Sequence, residues 1–430
     1  MAGVGPQRKG LLLICDGLGD RPVDGLGGAT PLEAAKTPVL DALAAAGACG
    51  LMFPIAPGVV AGSDTSHLSI LGYNPREYYT GRGPYECAGI DMEVREGDVC
   101  FRVNFSTLWV GDPRYADPEY DPATGTLSAT VRDRRAGRIE HGTDQLAAAI
   151  NGIEIDGVQV LFKESVAHRA GLILRAPGLG HLVSDTDPHA NNEPLWVAKG
   201  EDEASQRAAV VLNKFVAKSY ELLKDHPVNL ARAAEGKLPA NVALPRGVGT
   251  APSVSGFDAA NHVKSACIVE TGLIRGIGVY LGMDIVDVPG ATGGLDSDLG
   301  AMAGAIIKAL EDHTFVLCNM KGPDIAGHDS DAPAKVKIIE RIDAAARLIV
   351  DAGISDLVVA ATGDHSTPIE RGEHGGDAVP FLLSGPGVKS DAVVAFGEGP
   401  CGTGALGAFC GSAVMPMMTN LMNVQPKYGA

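Results

Sequence analysis

Three short apolar runs, at residues 11–15, 315–319 and 357–361, each lead within a few residues to an aspartate: Asp16, Asp324 and Asp364. An unbroken apolar run of this length, bounded by turn residues, is the pattern of a strand buried on both faces, and such strands belong to parallel sheets covered by helices. Ligands of open parallel sheets collect at the carboxyl ends of the strands. The three carboxylates are therefore expected to converge. A single aspartate after a strand is commonly a turn or cap residue, but three core strands ending in this way call for another reason.

Histidines accompany the aspartates. His328 follows Asp324 by four residues, His365 follows Asp364 directly, and His374 lies in a glycine-rich loop. A lone histidine is ordinarily a surface or satisfied core residue. Carboxylate and imidazole together, however, suit Mn²⁺ or Zn²⁺ better than Mg²⁺ or Ca²⁺, which prefer oxygen alone. Neighbours such as Asp364 and His365 point in different directions along a chain, which favours either two nearby ions or a sharp turn. Gly17 and Gly19 do not make a dinucleotide fingerprint, because Pro22 stands where the third glycine belongs.

The stretch Val60-Ala-Gly-Ser-Asp-Thr-Ser-His67, followed by Leu68, Ile70 and Leu71, reads as the start of a helix with Ser63 at its N-terminus. A phosphoryl group held there meets unpaired backbone N–H groups and the positive end of the helix dipole. Ser63 is thus a candidate nucleophile. A free serine is a poor one and needs a base or a metal to activate it.

Between residues 98 and 252 the texture changes to short strand-like runs, at 99–105, 157–162 and 170–174, with an amphipathic helix over 203–223. This predicts an inserted α+β domain within a core made of residues 1–97 and 253–430. Basic residues gather in the insertion: Arg132, Arg134, Arg135, Arg138, His168, Arg169, Arg175 and Arg246. Beyond it the core pattern resumes, with helices expected over 267–281, 299–310 (capped by Asp296 or Ser297) and 335–350, and a last strand at 379–383.

A net charge of −17 over 430 residues excludes a general nucleic-acid or membrane-surface binder, since both need a basic face. No stretch has the length of a membrane span, and the first apolar run stops at Asp16, too short for a signal peptide. The eight cysteines include no C-x-x-C pair, which argues against a zinc ribbon or redox dithiol and for reduced, buried thiols. The expected location is cytoplasmic, and nothing in the sequence specifies a subunit number.

Asp16-Gly17, Gly62-Ser-Asp-Thr-Ser-His67-Leu-Ser-Ile-Leu-Gly72, Asp324-x-x-Gly-His328, Gly363-Asp-His365 and Glu373-His374 together resemble the alkaline phosphatase superfamily. The closer similarity, carried by residues 132–139, His168-Arg169, Asp185-Thr-Asp-Pro-His189 and Pro289-Gly-Ala-Thr-Gly293, is to the archaeal type of cofactor-independent phosphoglycerate mutase, over nearly the whole chain. The resemblance implies an alkaline-phosphatase-like, mostly parallel sheet sandwiched by helices. It implies two divalent ions, Mn²⁺ or Zn²⁺ with Mg²⁺ or Co²⁺ compatible, and no 2,3-bisphosphoglycerate. One ion would be held by Asp324, His328 and His374, the other by Asp16, Ser63, Asp364 and His365.

In that family's reaction Ser63 would take the phosphoryl group of 3-phosphoglycerate, leaving glycerate to reorient and receive it back on its 2-hydroxyl. Glycerate must be retained meanwhile and water excluded. Arginine forks suit its carboxylate and the phosphate, so Arg134, Arg138, Arg169 and Arg246, with Lys264, are the expected substrate residues, and His168 the acid/base for the glycerate hydroxyls. The insertion is shorter than in the bacterial type of this mutase, and its arginine motifs differ. The nucleophile segment lacks the Cys/Ser-x-Pro-x-Arg pattern of sulfatases. Alternatives on the same core are a phosphatase and a phosphotransferase to another hydroxyl substrate such as homoserine; from another class, a binding protein with an incidental metal site.

Overall fold

The apolar run beginning at Leu11 becomes strand Lys9–Cys15, with strands Phe315–Met320 and Leu357–Thr362 running parallel on either side of it. These three are the centre of an eight-stranded sheet. Its order is Asp284–Ile285, Ser265–Val269, Phe315–Met320, Lys9–Cys15, Leu357–Thr362, Val379–Ser384, Ala48–Phe53, Gly407–Cys410. Val379–Ser384 is antiparallel to both of its neighbours and every other pairing is parallel. The computed structural model describes residues 6–251 and 253–427.

Alternation along the strands sends side chains to two cores. Leu11, Leu13 and Cys15 join Ala266, Ile268, Val316 and Cys318 beneath helices Leu299–Asp312, Ala332–Asp351 and Pro38–Ala45. Leu12 and Ile14 are equally buried but face the other side. On that side helix Gly272–Tyr280 lies so close that a Cβ on Gly278 would sit 2.7 Å from the Cys267 sulfur. The expected mostly parallel sheet sandwiched by helices is present.

Local differences have local causes. The helix expected over 267–281 is instead strand Ser265–Val269 followed by helix Gly272–Tyr280; a continuous apolar run does not by itself distinguish the two. Helix Leu299–Asp312 is capped by Asp298, which accepts from Ala301 N, whereas Asp296 accepts from Thr292 Oγ1. The edge strands Asp284–Ile285 and Gly407–Cys410, with Ala48–Phe53, carried no clear periodic signal.

The chain divides into two compact units, Met1–Tyr79 with Val254–Ala430, and Thr80–Ser253. The boundary expected at residue 98 falls inside the second unit, because helix Gly83–Ala88 packs on strand Val99–Leu108. Pro252, the other expected boundary, lies outside the described residues. The second unit is built on an antiparallel sheet ordered Val242–Thr250, Val99–Leu108, Arg169–Arg175, Val158–Glu164, Glu154–Ile155, with Val131–Asp133 also pairing Val99–Leu108. One face buries Phe101, Phe105 and Phe162 against Phe215 of helix Glu203–Leu223. That helix has the bounds its periodicity predicts, and Asp202 caps it by accepting from Ser205 N.

Candidate metal centre and nucleophile

Asp16 directly follows strand Lys9–Cys15, Asp324 lies in the short helix Gly322–His328 after strand Phe315–Met320, and Asp364 and His365 follow strand Leu357–Thr362. The three strands are adjacent and parallel, so all four side chains meet at one end of the sheet. Gly17 makes the approach close: at φ +63°, a Cβ there would come within 2.7 Å of the Asp324 backbone. Its N–H donates to Asp364 Oδ1 at 3.0 Å.

Two groups of donor atoms lie within 4.8 Å of one another, Asp16 with Asp364 and His365, and Asp324 with His365 and His374. The hydrogen bonds fix which nitrogen each ring presents. Thr367 Oγ1 donates to Asp324 Oδ1 at 2.7 Å and must therefore accept at 3.2 Å from His365 Nδ1. His374 Nδ1 donates to Ala61 O at 2.9 Å, and His328 Nδ1 to Gly372 O at 2.8 Å. In each case Nε2 is the nitrogen left to face the carboxylates, the acceptor of a neutral ring, and the Nε2 atoms of His328 and His374 lie 3.5 Å from Asp324 Oδ1. Metal-binding histidines are oriented in this way, by a fixed acceptor on the far nitrogen. His328 is adjacent to the second group without joining it.

The charge balance calls for cations. Asp16, Asp324 and Asp364 are buried together. Lys321 bridges two of them, its Nζ 2.7 Å from Asp16 Oδ1 and 2.6 Å from Asp324 Oδ2. Burial, then the charge of Asp364, push the Asp16 carboxyl up. Burial pushes the His365 imidazole down, against the pull of Asp364 and Asp16. Lys321 can offset only one of the three neighbouring carboxylates, a costly arrangement unless further positive charge completes it. Asp364 Oδ2, buried, has no hydrogen-bond partner. Mixed oxygen and nitrogen donors around an orphaned carboxylate oxygen fit a divalent ion of the Mn²⁺ or Zn²⁺ kind.

Ser63 is the first residue of helix Ser63–Ile70, as its sequence predicts, with Gly62 before it. Its Oγ lies 3.1 Å from His365 Nε2, the atom that carries the lone pair. The hydroxyl therefore sits beside the shared histidine of both donor groups, at the positive end of a helix.

The second unit has a polar site of its own. Arg102 pairs across the sheet with Arg246, and Asn104 with Arg169, so all four share the face opposite the aromatic core. Arg102 Nε, Asn104 Oδ1, Arg246 Nε and His168 Nδ1 are buried without hydrogen-bond partners. Burial, against the pull of Glu86, and the like charges of Arg82, Arg246 and Arg169 push Arg102 down to about 9. Burial, then Arg169, Arg135, Arg102 and Arg138, push the His168 imidazole down to about 4. Arg134 makes a two-pronged pair with buried Asp187 at 2.6 Å, which Arg246 approaches at 3.6 Å. Arg134 and Arg138 also line a cavity of about 380 Å³.

Lys264 is not brought to either place. It precedes strand Ser265–Val269, at the end of the parallel sheet away from the aspartates, exposed and paired through its backbone with Thr314. Sequence reasoning missed Arg102, although Arg102 and Asn104 interrupt an apolar strand at alternate positions. It also missed Lys321 and Thr367, whose spacing gives no sign of which carboxylates they reach.

A family model described as 2,3-bisphosphoglycerate-independent phosphoglycerate mutase matches residues 44–229. The chain is 47% identical to 2,3-bisphosphoglycerate-independent phosphoglycerate mutase 1 of Methanothermobacter thermautotrophicus, covering 98% of this chain and 100% of that protein. The mutase of Pyrococcus furiosus is 43% identical, with 99% and 100% covered. Among solved structures, a Pyrococcus horikoshii protein superposes with a TM-score of 0.84 at 36% identity, over 99% of this chain and 100% of that one. The cofactor-independent phosphoglycerate mutase of Thermoplasma acidophilum superposes with 0.71 at 34%, over 96% and 100%.

Proposed function

Since the chain belongs to the 2,3-bisphosphoglycerate-independent phosphoglycerate mutases, a family of isomerases, we propose that it interconverts 3-phosphoglycerate and 2-phosphoglycerate with Ser63 as the carrier of the phosphoryl group. The observation that carries this reading is the place of Ser63 Oγ, 3.1 Å from the one histidine that belongs to both donor groups. Asp16, Asp364 and His365 are assigned to one divalent ion and Asp324, His374 and His328 to the other, with Mn²⁺ or Zn²⁺ favoured. When bound, the ions would lower the pKa of the Ser63 hydroxyl and offset charge on the phosphoryl oxygens.

Ser63 Oγ gives up its proton and forms the new bond to phosphorus as the bond to the 3-oxygen breaks, and that oxygen takes a proton. In the return step the 2-hydroxyl of glycerate gives up its proton and bonds to phosphorus as the bond to Ser63 Oγ breaks, and Ser63 regains a proton. Lys321, held by Asp16 and Asp324, adds a fixed positive charge to the centre. The guanidinium-rich face of the second unit, Arg102, Arg169 and Arg246 with Arg134 and Arg138 nearby, is assigned the glycerate, because a carboxylate would satisfy Arg102 Nε and Arg246 Nε, which are buried without a hydrogen-bond partner. His168, neutral at neutral pH, is suited to accept the hydroxyl proton. Among the described residues no helix is long and apolar enough to cross a membrane; the cytoplasm is the location we infer for such a reaction.

Phosphorus NMR of the Mn²⁺-supplemented protein with 3-phosphoglycerate tests the reading, with Ser63→Ala and chelated controls. Growth of 2-phosphoglycerate with little inorganic phosphate, abolished in both controls, is the expected result. Predominant inorganic phosphate identifies a phosphatase, and an unchanged spectrum overturns the substrate.

A further inference from the structure

Helix Ser63–Ile70 buries Ser63, Asp64, Ser66 and His67 within eight residues, an unusual load of polar groups for a core helix. His67 is wholly buried and belongs to neither donor group. Its ring is nevertheless wired into both the nucleophile and a carboxylate. Asn319 Nδ2 lies 3.0 Å from Asp16 Oδ2 and 3.1 Å from His67 Nε2. A carboxylate only accepts, so the amide nitrogen must face Asp16, and its second proton is the one left for His67. His67 Nε2 is then an acceptor, its proton sits on Nδ1, and Nδ1 donates to the backbone oxygen of Ser63 at 2.6 Å.

The result is a continuous chain of hydrogen bonds in which Asn319 donates one amide proton to Asp16 and the other to His67, and His67 donates to the Ser63 carbonyl. Lys321 holds the other oxygen of the same carboxylate, so Asp16 is clamped at both ends. We propose that His67 and Asn319 are positioning residues: a rigid link that keeps the Ser63 turn and the Asp16 carboxylate in one register, so that an ion on Asp16 and the attacking oxygen are set relative to each other. This rests on the reading of Ser63 and Asp16 given above. Neither residue is assigned to the substrate, so the link acts on the ion and on turnover and leaves substrate binding alone. A histidine merely satisfied in the core would affect stability without that pattern.

The test compares the wild type with Asn319→Leu, His67→Asn and the double variant. Mn²⁺ affinity of the metal-stripped protein is measured by chelator competition, kcat and KM with 3-phosphoglycerate, and folding by circular dichroism. Asn319→Leu is expected to weaken Mn²⁺ binding and to lower kcat by ~10–100-fold each, the usual effect of losing an outer-shell partner, with KM little changed. His67→Asn keeps a donor for the Ser63 carbonyl and loses the acceptor for Asn319, so its kcat falls less. The double variant should be no worse than Asn319→Leu alone, since both cut one chain. Wild-type Mn²⁺ affinity and kcat in a folded Asn319→Leu protein overturn the proposal, as do losses that multiply in the double variant. If Asn319→Leu does not fold, unchanged Mn²⁺ affinity and kcat in His67→Asn overturn it equally. A wild type that leaves 3-phosphoglycerate untouched rejects the assigned reaction, while the Mn²⁺ affinities still decide the link.

Discussion

Lys335 Nζ lies 2.8 Å from Asp20 Oδ2, and both side chains are wholly buried. The same ammonium donates to Gly19 O and, at 3.0 Å, to Thr367 O, so one lysine of helix Ala332–Asp351 ties the loop after Asp16 to the loop after His365. Replacing one partner of a buried pair strands the other, at a cost of ~3–5 kcal/mol. Lys335→Met should therefore lower the stability by about that amount in urea unfolding. An unfolding midpoint equal to the wild type's would show that Asp20 finds other compensation.

Removal of metal should both inactivate and soften the protein. Binding to the folded chain alone adds about 2.7 kcal/mol at a free-ion concentration a hundred times Kd, so chelation is expected to lower Tm and Mn²⁺ or Zn²⁺ to restore it. Asp364→Asn removes one carboxylate charge from the group formed by Asp16, Asp364 and His365. Its recovery of Tm should demand much more Mn²⁺; recovery at the wild-type concentration would place the ion elsewhere.

Arg102→Met tests the second unit. Loss of a charged hydrogen bond of about 1.5–3 kcal/mol corresponds to ~10–100-fold in kcat/KM for 3-phosphoglycerate. The share of inorganic phosphate among the products, read by phosphorus NMR, should rise as glycerate escapes. Unaltered kinetics and product ratio would remove Arg102 from the site.

Glu398 supplies a pH dependence remote from the centre. Its Oε1 accepts from Asp20 N at 3.0 Å and its Oε2 from Thr30 Oγ1 at 2.6 Å, and burial, despite Thr30, pushes the carboxyl up to about 7. A folded-state pKa above the unfolded one favours the protonated form, so this contribution is full below about 4.5 and is lost as pH rises through 7. Stability should decline by about 2 kcal/mol between pH 5 and 8 from this group. Glu398→Gln, neutral throughout, should flatten that part of the Tm profile; an identical slope would exclude Glu398 as its source.

The parallel core and its three aspartates were readable because buried strands and their carboxyl-end ligands leave a mark in the order of residues. Ser63 was readable from Gly62 and the helical run after it. Lys264 fails the same rule that found Asp16, since it stands before its strand and not after it. Lys335 lies in a correctly expected helix, but periodicity cannot show that a lysine turns inward to meet Asp20. Lys321, Asn319 and Thr367 act through atoms contributed by remote segments, and only the assembled strands reveal what each one touches. In the second unit, Arg102 was legible in principle from its alternation with Asn104, a polar stripe on a strand otherwise built of Val99, Phe101, Val103 and Phe105.

The pairing of Gly10 with Phe315 and of Lys9 with Leu357 has a consequence for the newborn chain. The first strand leaves the ribosome with neither of its neighbours yet made. At ~5–20 residues per second, the roughly 300 residues that separate it from the nearer one take about 15–60 s to synthesise. Throughout that interval Leu11, Leu12, Leu13 and Ile14 are an unpaired apolar segment, so the hazard of aggregation is greatest until Phe315–Met320 has been made, and slower translation prolongs it.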